Sequence, residues 1–202
     1  MKPHCFLALP SSGIALLCVL TLTPIQAEAA DARPIVAAKC AKCHGEEGDS
    51  SDPAIPRIAG LHPTYIARQM REFAEGRRRN EDMAPLALEL GEDGVQAVSA
   101  WYGNKKPPVG KPGDPKLAEA GKQLYEDGNG DPAVQPCVAC HQSDGAGNAR
   151  FPRLAGQHKD YLGKQLSEFK RGRRATDPQM VTIAQRLSTR EIKALAEYIS
   201  GM

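Results

Sequence analysis

The sequence repeats a five-residue element, Cys-x-x-Cys-His, at Cys40–His44 and again 97 residues later at Cys137–His141. The likeness continues downstream of both. Pro56-Arg-Ile-Ala-Gly60 is matched by Pro152-Arg-Leu-Ala-Gly156. Tyr65, Gln69, Phe73, Gly76 and Arg78 are matched in the same spacing by Tyr161, Gln165, Phe169, Gly172 and Arg174. The offset in these stretches is 96 residues and returns to 97 at Met83 and Met180, so single residues have slipped in loops. A repeat of this length sets the architecture ahead of any local reading. It predicts two homologous domains.

The boundary between them lies where composition shifts. Gly103–Pro115 holds four prolines and three glycines with almost nothing apolar, which predicts an extended, semi-rigid spacer. The reading is domain 1 over residues 30–104, a linker over 105–115 and domain 2 over 116–202. Within each domain the apolar period is helical. Tyr65, Gln69 and Phe73 recur every fourth residue, as do their counterparts, and Gly76 or Gly172 gives a natural stop. Ser188-Thr-Arg-Glu191 is a capping box opening a helix that buries Ile192, Leu195, Ala196 and Ile199. Leu117, Ala120 and Leu124 mark another helix ahead of the second Cys pair. No stretch sustains the alternation of a strand, so the fold class expected is all-α, with three to five short helices per domain.

Residues 1–29 read as a signal peptide. Lys2 supplies the positive end, Ile14–Leu22 the apolar stretch, and Ala27-Glu28-Ala29 a cleavage pattern that fits a cut after Ala27 or Ala29. The rival is an uncleaved anchor, but Ser11-Ser-Gly13 interrupts the apolar run too early for a span. Cys18 follows the bulky Leu17, unlike a lipoprotein signal. Export puts the mature chain in an oxidising compartment with four cysteines, Cys40, Cys43, Cys137 and Cys140. Two small disulfides would be one use of them.

The following His44 and His141 point to another. In Cys-x-x-Cys-His, two thiols add across the vinyl groups of a haem and the adjacent His coordinates its iron. A zinc site built from the four cysteines is the best competitor, but it requires neither His nor two complete domains. Redox Cys-x-x-Cys sites accompany a βαβ pattern that is absent here. Two covalent haem c groups also supply core material to small domains in a chain only 5% aromatic. For the second axial position, Met83 and Met180 each follow their His by 39 residues. Their alternative use is core filling. His62 and His158 also align and form a rival ligand pair, at expected helix starts. Met70 aligns with Leu166 inside a helix and reads as packing. His/Met ligation is the electron-transfer arrangement, with no position left for oxygen or peroxide. An electron carrier, not an enzyme, is expected.

With these residues in hand the chain resembles the dihaem cytochrome c4 family over nearly all of its mature length. The resemblance implies two tandem class I cytochrome c domains facing each other across a pseudo-twofold interface. It implies a periplasmic carrier, sometimes membrane-associated, that passes electrons from a redox donor toward a terminal oxidase or similar acceptor. It also implies that the carbonyls of Pro56 and Pro152 accept a hydrogen bond from the ligand His and fix its ring. The runner-up function is the cytochrome subunit of a sulfide-oxidising flavocytochrome c complex, and a dihaem peroxidase is disfavoured by the paired Met. Asp127–Asp131 begins like a calcium loop but lacks its Gly and Glu, and reads as a polar loop. Arg77-Arg78-Arg79 and Arg173-Arg174 are open to docking an acidic partner, pairing with haem propionates, or forming a solvated face, the commonest fate of such runs. A net charge of +2 without an aromatic–basic platform argues against nucleic acid.

Overall fold

The computed structural model describes residues 31–111 and 113–202. The signal peptide expected over 1–29, with its cleavage positions, lies outside the described residues. These residues are helical and contain no strand. Domain 1 opens with α1 (Arg33–Ile35), a π-helical turn over Val36–Cys40 and α2 (Ala41–His44), followed by α3 (Pro63–Ala74) and α4 (Met83–Gly103). Domain 2 comprises α5 (Pro115–Asp127), α6 (Val138–His141), α7 (Lys159–Lys170), α8 (Pro178–Arg186) and α9 (Thr189–Ser200).

Local chemistry sets the helix starts. Pro63 and Pro115 each take the first helical position, where no N–H is needed. The His62 ring accepts from Thr64 N–H, and Asp114 accepts from Lys116 and Leu117 N–H. Ser188 and Glu191 form both bonds of the capping box on α9. That helix buries Ile192, Leu195, Ala196 and Ile199, the face its period predicts. In domain 1 the counterpart of α8 and α9 is the single α4, broken at Gly91 (φ 61°, ψ −175°). Gly91 aligns with Ser188, so the same break is made once by backbone freedom and once by a side-chain cap.

Each domain has its own core. Val36, Ile66, Phe73, Val95 and Tyr102 centre the first, and Tyr125, Leu162, Leu187, Leu195 and Ile199 the second. The turn after each Cys-x-x-Cys-His element is held by a buried tyrosine. Tyr102, at the end of α4, donates to Gly45 O (3.1 Å), whereas Tyr125, on α5, donates to the aligned Gln142 O (2.6 Å). The loop resembling a calcium site is a polar loop tied to the capping box, with Asn129 Nδ2 3.0 Å from Glu191 Oε1.

The domains are locked together directly. Arg57 N–H donates to Gln157 Oε1 (2.9 Å) and Gln157 Nε2 donates back to Arg57 O (2.8 Å). Arg57 Nη1 also reaches Gly156 O (2.6 Å), and His158 Nε2 donates to Ser50 O (2.8 Å). The linker is not a free spacer. Gly110 and Lys111 N–H donate to Met202 O and Ser200 O, and Asp114 N–H donates to the buried Glu197 carboxylate. Pro107 and Pro108 press on the Gly of both Pro-x-x-Ala-Gly elements. A Cβ on Gly60 would meet Pro107 Cγ at 2.4 Å and one on Gly156 would meet Pro108 O at 2.5 Å, and both have φ near +70° (68° and 73°). Only glycine meets both demands.

Candidate functional site

α2 and α6 each end on the His of their Cys-x-x-Cys-His element. In domain 1 the π-helical turn ends at Cys40 and hands the chain to α2. His44 Nδ1 lies 2.9 Å from Pro56 O, and His141 Nδ1 2.9 Å from Pro152 O. A carbonyl only accepts, so Nδ1 carries the proton and Nε2 presents a lone pair. Burial pushes both imidazoles below the ordinary histidine pKa, outweighing the proline hydrogen bond. Both rings are therefore neutral at neutral pH, the state a metal ligand requires.

Neither cysteine pair is joined as a disulfide. Before haem attachment, burial pushes the Cys40 thiol up and the Cys137 thiol up to about 11. Nor do the cysteines converge on a zinc site: among the described residues no three His, Cys, Asp or Glu side chains gather around a common point.

One cavity of about 880 Å³ receives His44, His141, the four cysteines, Met83 and Met180. Its walls are mainly apolar, with Ile66, Phe73 and Val98 on one side and Leu162, Phe169 and Ile183 on the other. Met83 begins α4 and Met180 lies in the first turn of α8. Their N–H groups are anchored alike, to Asn80 Oδ1 (2.8 Å) and Asp177 Oδ1 (3.0 Å). The rival pair is elsewhere: His62 caps α3, His158 bonds Ser50 across the interface, and neither lines the cavity. Met70 packs in the core of domain 1 and also reaches the cavity wall. Each domain thus offers two thiols, one oriented imidazole and one thioether within an apolar wall. These are the donors a covalent haem c uses, and the residues present fit the group.

Sequence reasoning passed over the polar residues between the two sites. Tyr65, Gln69, Tyr161 and Gln165 mark helix periodicity, yet their polar ends meet Arg78 and Arg174 from the opposite domain. Both arginines are buried, so the solvated-face reading fails for them. Arg77 and Arg173 are half exposed and pair with the buried Glu72 and the partly buried Glu168. The available signal was the exact repetition of Tyr, Gln and Arg, more than helix period alone demands.

Comparisons with known proteins agree with the two-domain division. Residues 27–101 match the family described as cytochrome C oxidase, cbb3-type, subunit III, and residues 118–202 match cytochrome c. Cytochrome c4 of Thiocapsa roseopersicina is 41% identical over 168 residues, covering 81% of this chain and 86% of that protein. A thiosulfate dehydrogenase electron acceptor of Stutzerimonas stutzeri (strain A1501) is 36% identical over 207 residues, covering 96% and 94%. Among solved structures, reduced recombinant cytochrome c4 from Pseudomonas stutzeri superposes with a TM-score of 0.81 at 33% identity, over 87% of this chain and 98% of that one. Two Cys-x-x-Cys-His elements, each with its own oriented His, therefore hold two covalent haem c groups in a chain that belongs to the cytochrome c4 family of dihaem electron-transfer cytochromes.

Proposed function

We propose that the protein is a periplasmic carrier that relays single electrons through two His/Met-ligated haems toward a terminal oxidase or similar acceptor. His44 with Met83, and His141 with Met180, are the axial pairs. Cys40, Cys43, Cys137 and Cys140 are the thioether anchors, and Pro56 and Pro152 orient the two imidazoles. The observation that carries this reading is the paired placement of one Nδ1-anchored His and one helix-start Met around a common cavity in both domains. When bound, each haem supplies a reversible one-electron iron couple. The chain's part is to hold that couple closed. The proline carbonyls fix the ring tautomer, the capped helix starts hold the thioethers, and the apolar walls exclude water. A soft thioether favours the reduced iron, which suits a donor to an oxidase.

A second reading concerns the source of the electrons. The relative described as a thiosulfate dehydrogenase electron acceptor supports a donor that oxidises a sulfur compound. That is close to, but distinct from, membership of a sulfide-oxidising flavocytochrome complex, which a copurifying flavoprotein in fixed stoichiometry would indicate.

The ligand assignment is tested on the haem-loaded chain. The parent should show the near-infrared sulfur-to-iron charge-transfer band of two His/Met haems and no reaction with carbon monoxide. Met83→Ala or Met180→Ala should each remove about half of that band and open one iron of two to carbon monoxide. A substituted haem that stays six-coordinate and unreactive would sink the assignment.

A further inference from the structure

Met180 sits on α8, a helix of nine residues held at both ends. At its start the Asp177 carboxylate accepts from Met180 N–H (3.0 Å). Its exit is the harder end to satisfy. The last turn of a helix leaves carbonyls without partners, and a left-handed glycine commonly serves them. α8 ends without one, because Leu187 at its exit is extended (φ −82°, ψ 135°). Leu187 is also 2% exposed, packs in the domain 2 core and lines the cavity, so this exit lies against the core.

The ammonium of Lys170 serves it instead. Lys170 ends α7, a helix whose Leu162, Gln165, Leu166 and Phe169 line the same cavity. Its Nζ donates to Gln185 O (2.9 Å) and to Leu187 O (2.7 Å). A cation at a helix C-terminus is also favoured by the helix dipole. Asn129 Nδ2 stands 3.4 Å from Arg186 O, too far for a strong bond.

Domain 1 lacks this tether. The residue aligned with Lys170 is Ala74, and the joint aligned with Leu187-Ser188 is Leu90-Gly91, where glycine permits the break. The Met83 helix is tied instead to the turn that bears Cys40, by Lys39 Nζ on Glu89 Oε1. Those two side chains are 32% and 57% exposed, so solvent screens their attraction. The aligned Pro136 and Arg186 of domain 2 have no means of pairing.

We infer that Lys170 is a positioning residue for Met180. By fastening the exit of α8 to α7 it holds the thioether against the domain 2 iron, a role no aligned residue has in domain 1. The inference rests on the reading of Met180 as an axial ligand. With Asp177 at one end and Lys170 at the other, α8 moves away from the cavity only by breaking charge-assisted hydrogen bonds. Without the ammonium, two carbonyls at a core-facing exit lose their donor, and Met180 leaves the iron more often.

The experiment uses the full chain loaded with two haems, as the parent and as Lys170→Met, Lys170→Arg and Ser188→Ala. Saturating imidazole is mixed with the oxidised protein, so that its binding rate reports departure of the axial methionine. Haem methyl resonances, assigned with the Met83→Ala and Met180→Ala forms, follow the two irons separately. A Met180→Ala form that keeps the parent's sulfur-to-iron band in full overturns the ligand reading underneath. Given that ligand, Lys170→Met should speed exchange at the domain 2 iron about tenfold or more, the worth of one charge-assisted hydrogen bond. Exchange at the domain 1 iron should stay at the parent's rate. Lys170→Arg restores a charged donor and should recover most of the slow exchange. Ser188→Ala weakens the same joint without freeing either carbonyl, and should exchange as the parent does. A Lys170→Met chain at the parent's rate overturns the tether. A rise shared equally by the domain 1 iron, or matched by Ser188→Ala, overturns positioning in favour of general loosening. A Lys170→Arg chain as fast as Lys170→Met overturns the role of the charged donor. If Lys170→Met fails to load two haems, Lys170→Gln takes its place under the same outcomes.

Discussion

Tyr65 lies against two buried guanidiniums, and its phenol feels opposed influences. Burial pushes its pKa up, but the Arg174 and Arg78 charges and the Arg174 hydrogen bond outweigh that and hold it below the ordinary tyrosine value. Tyr102 and Tyr125 have no such neighbours, and burial drives both well above it. The signs follow from linkage. Ionised Tyr65 adds stability above its unfolded pKa, and this is lost as pH falls through its lower folded value. Tyr102 and Tyr125 resist ionisation, so they favour the fold below the ordinary tyrosine value and lose that contribution as pH rises through their raised values. In an alkaline titration followed by carbon NMR of labelled tyrosines, Tyr65 should ionise ahead of Tyr102 and Tyr125. Arg174→Gln should move it upward. Co-titration of Tyr65 with Tyr102 in the parent would contradict this account.

At the scale of the helices, much was readable from the chain alone. The period through Tyr65, Gln69 and Phe73 locates α3, and Ser188 with Glu191 locates the start of α9, because these signals act within a few residues. The break of α4 at Gly91 was not readable, since a lone glycine inside a helical period does not by itself show that the chain leaves the helix there. Cys40, Cys43, His44 and their counterparts were legible because covalent chemistry imposes a fixed spacing. The polar interface was not, because a Tyr or Gln at a helical period looks the same whether its tip meets water or another domain. Helix crossing has its own requirement. A Cβ on Gly121 of α5 would lie 2.0 Å from Ala194 O of α9, so these two helices touch backbone to backbone. Gly121→Val should destabilise domain 2 by about 1–3 kcal/mol, the usual result of overpacking. Urea unfolding of the haem-loaded chain would measure it, with domain 1 responding less. The Ser188→Ala change, which removes one bond of the capping box, should cost about 1 kcal/mol in the same assay.

For the molecule as a whole, the reciprocal pair between Arg57 and Gln157 makes the two Pro-x-x-Ala-Gly elements a common seam. Gln157→Ala leaves the partly buried N–H and C=O of Arg57 without these partners, at about 1 kcal/mol each. The effect should appear as faster proteolytic cleavage near the linker, with each haem's axial ligation unchanged. An altered ligand band instead would place the seam's role inside the haem sites. The linker prolines lie on the same seam, which is why a proline-rich segment serves here as a clasp. The two tyrosines that secure the turn after each haem motif carry a different lesson. Tyr102 and Tyr125 arrive at equivalent carbonyls from non-equivalent helices. The two halves therefore meet one anchoring requirement with non-equivalent residues. The junction between them carries both anchors, Tyr102 before it and Tyr125 after it, whereas a chain carrying two copies of one half would present only one there, so the halves are not interchangeable parts despite the matching motifs.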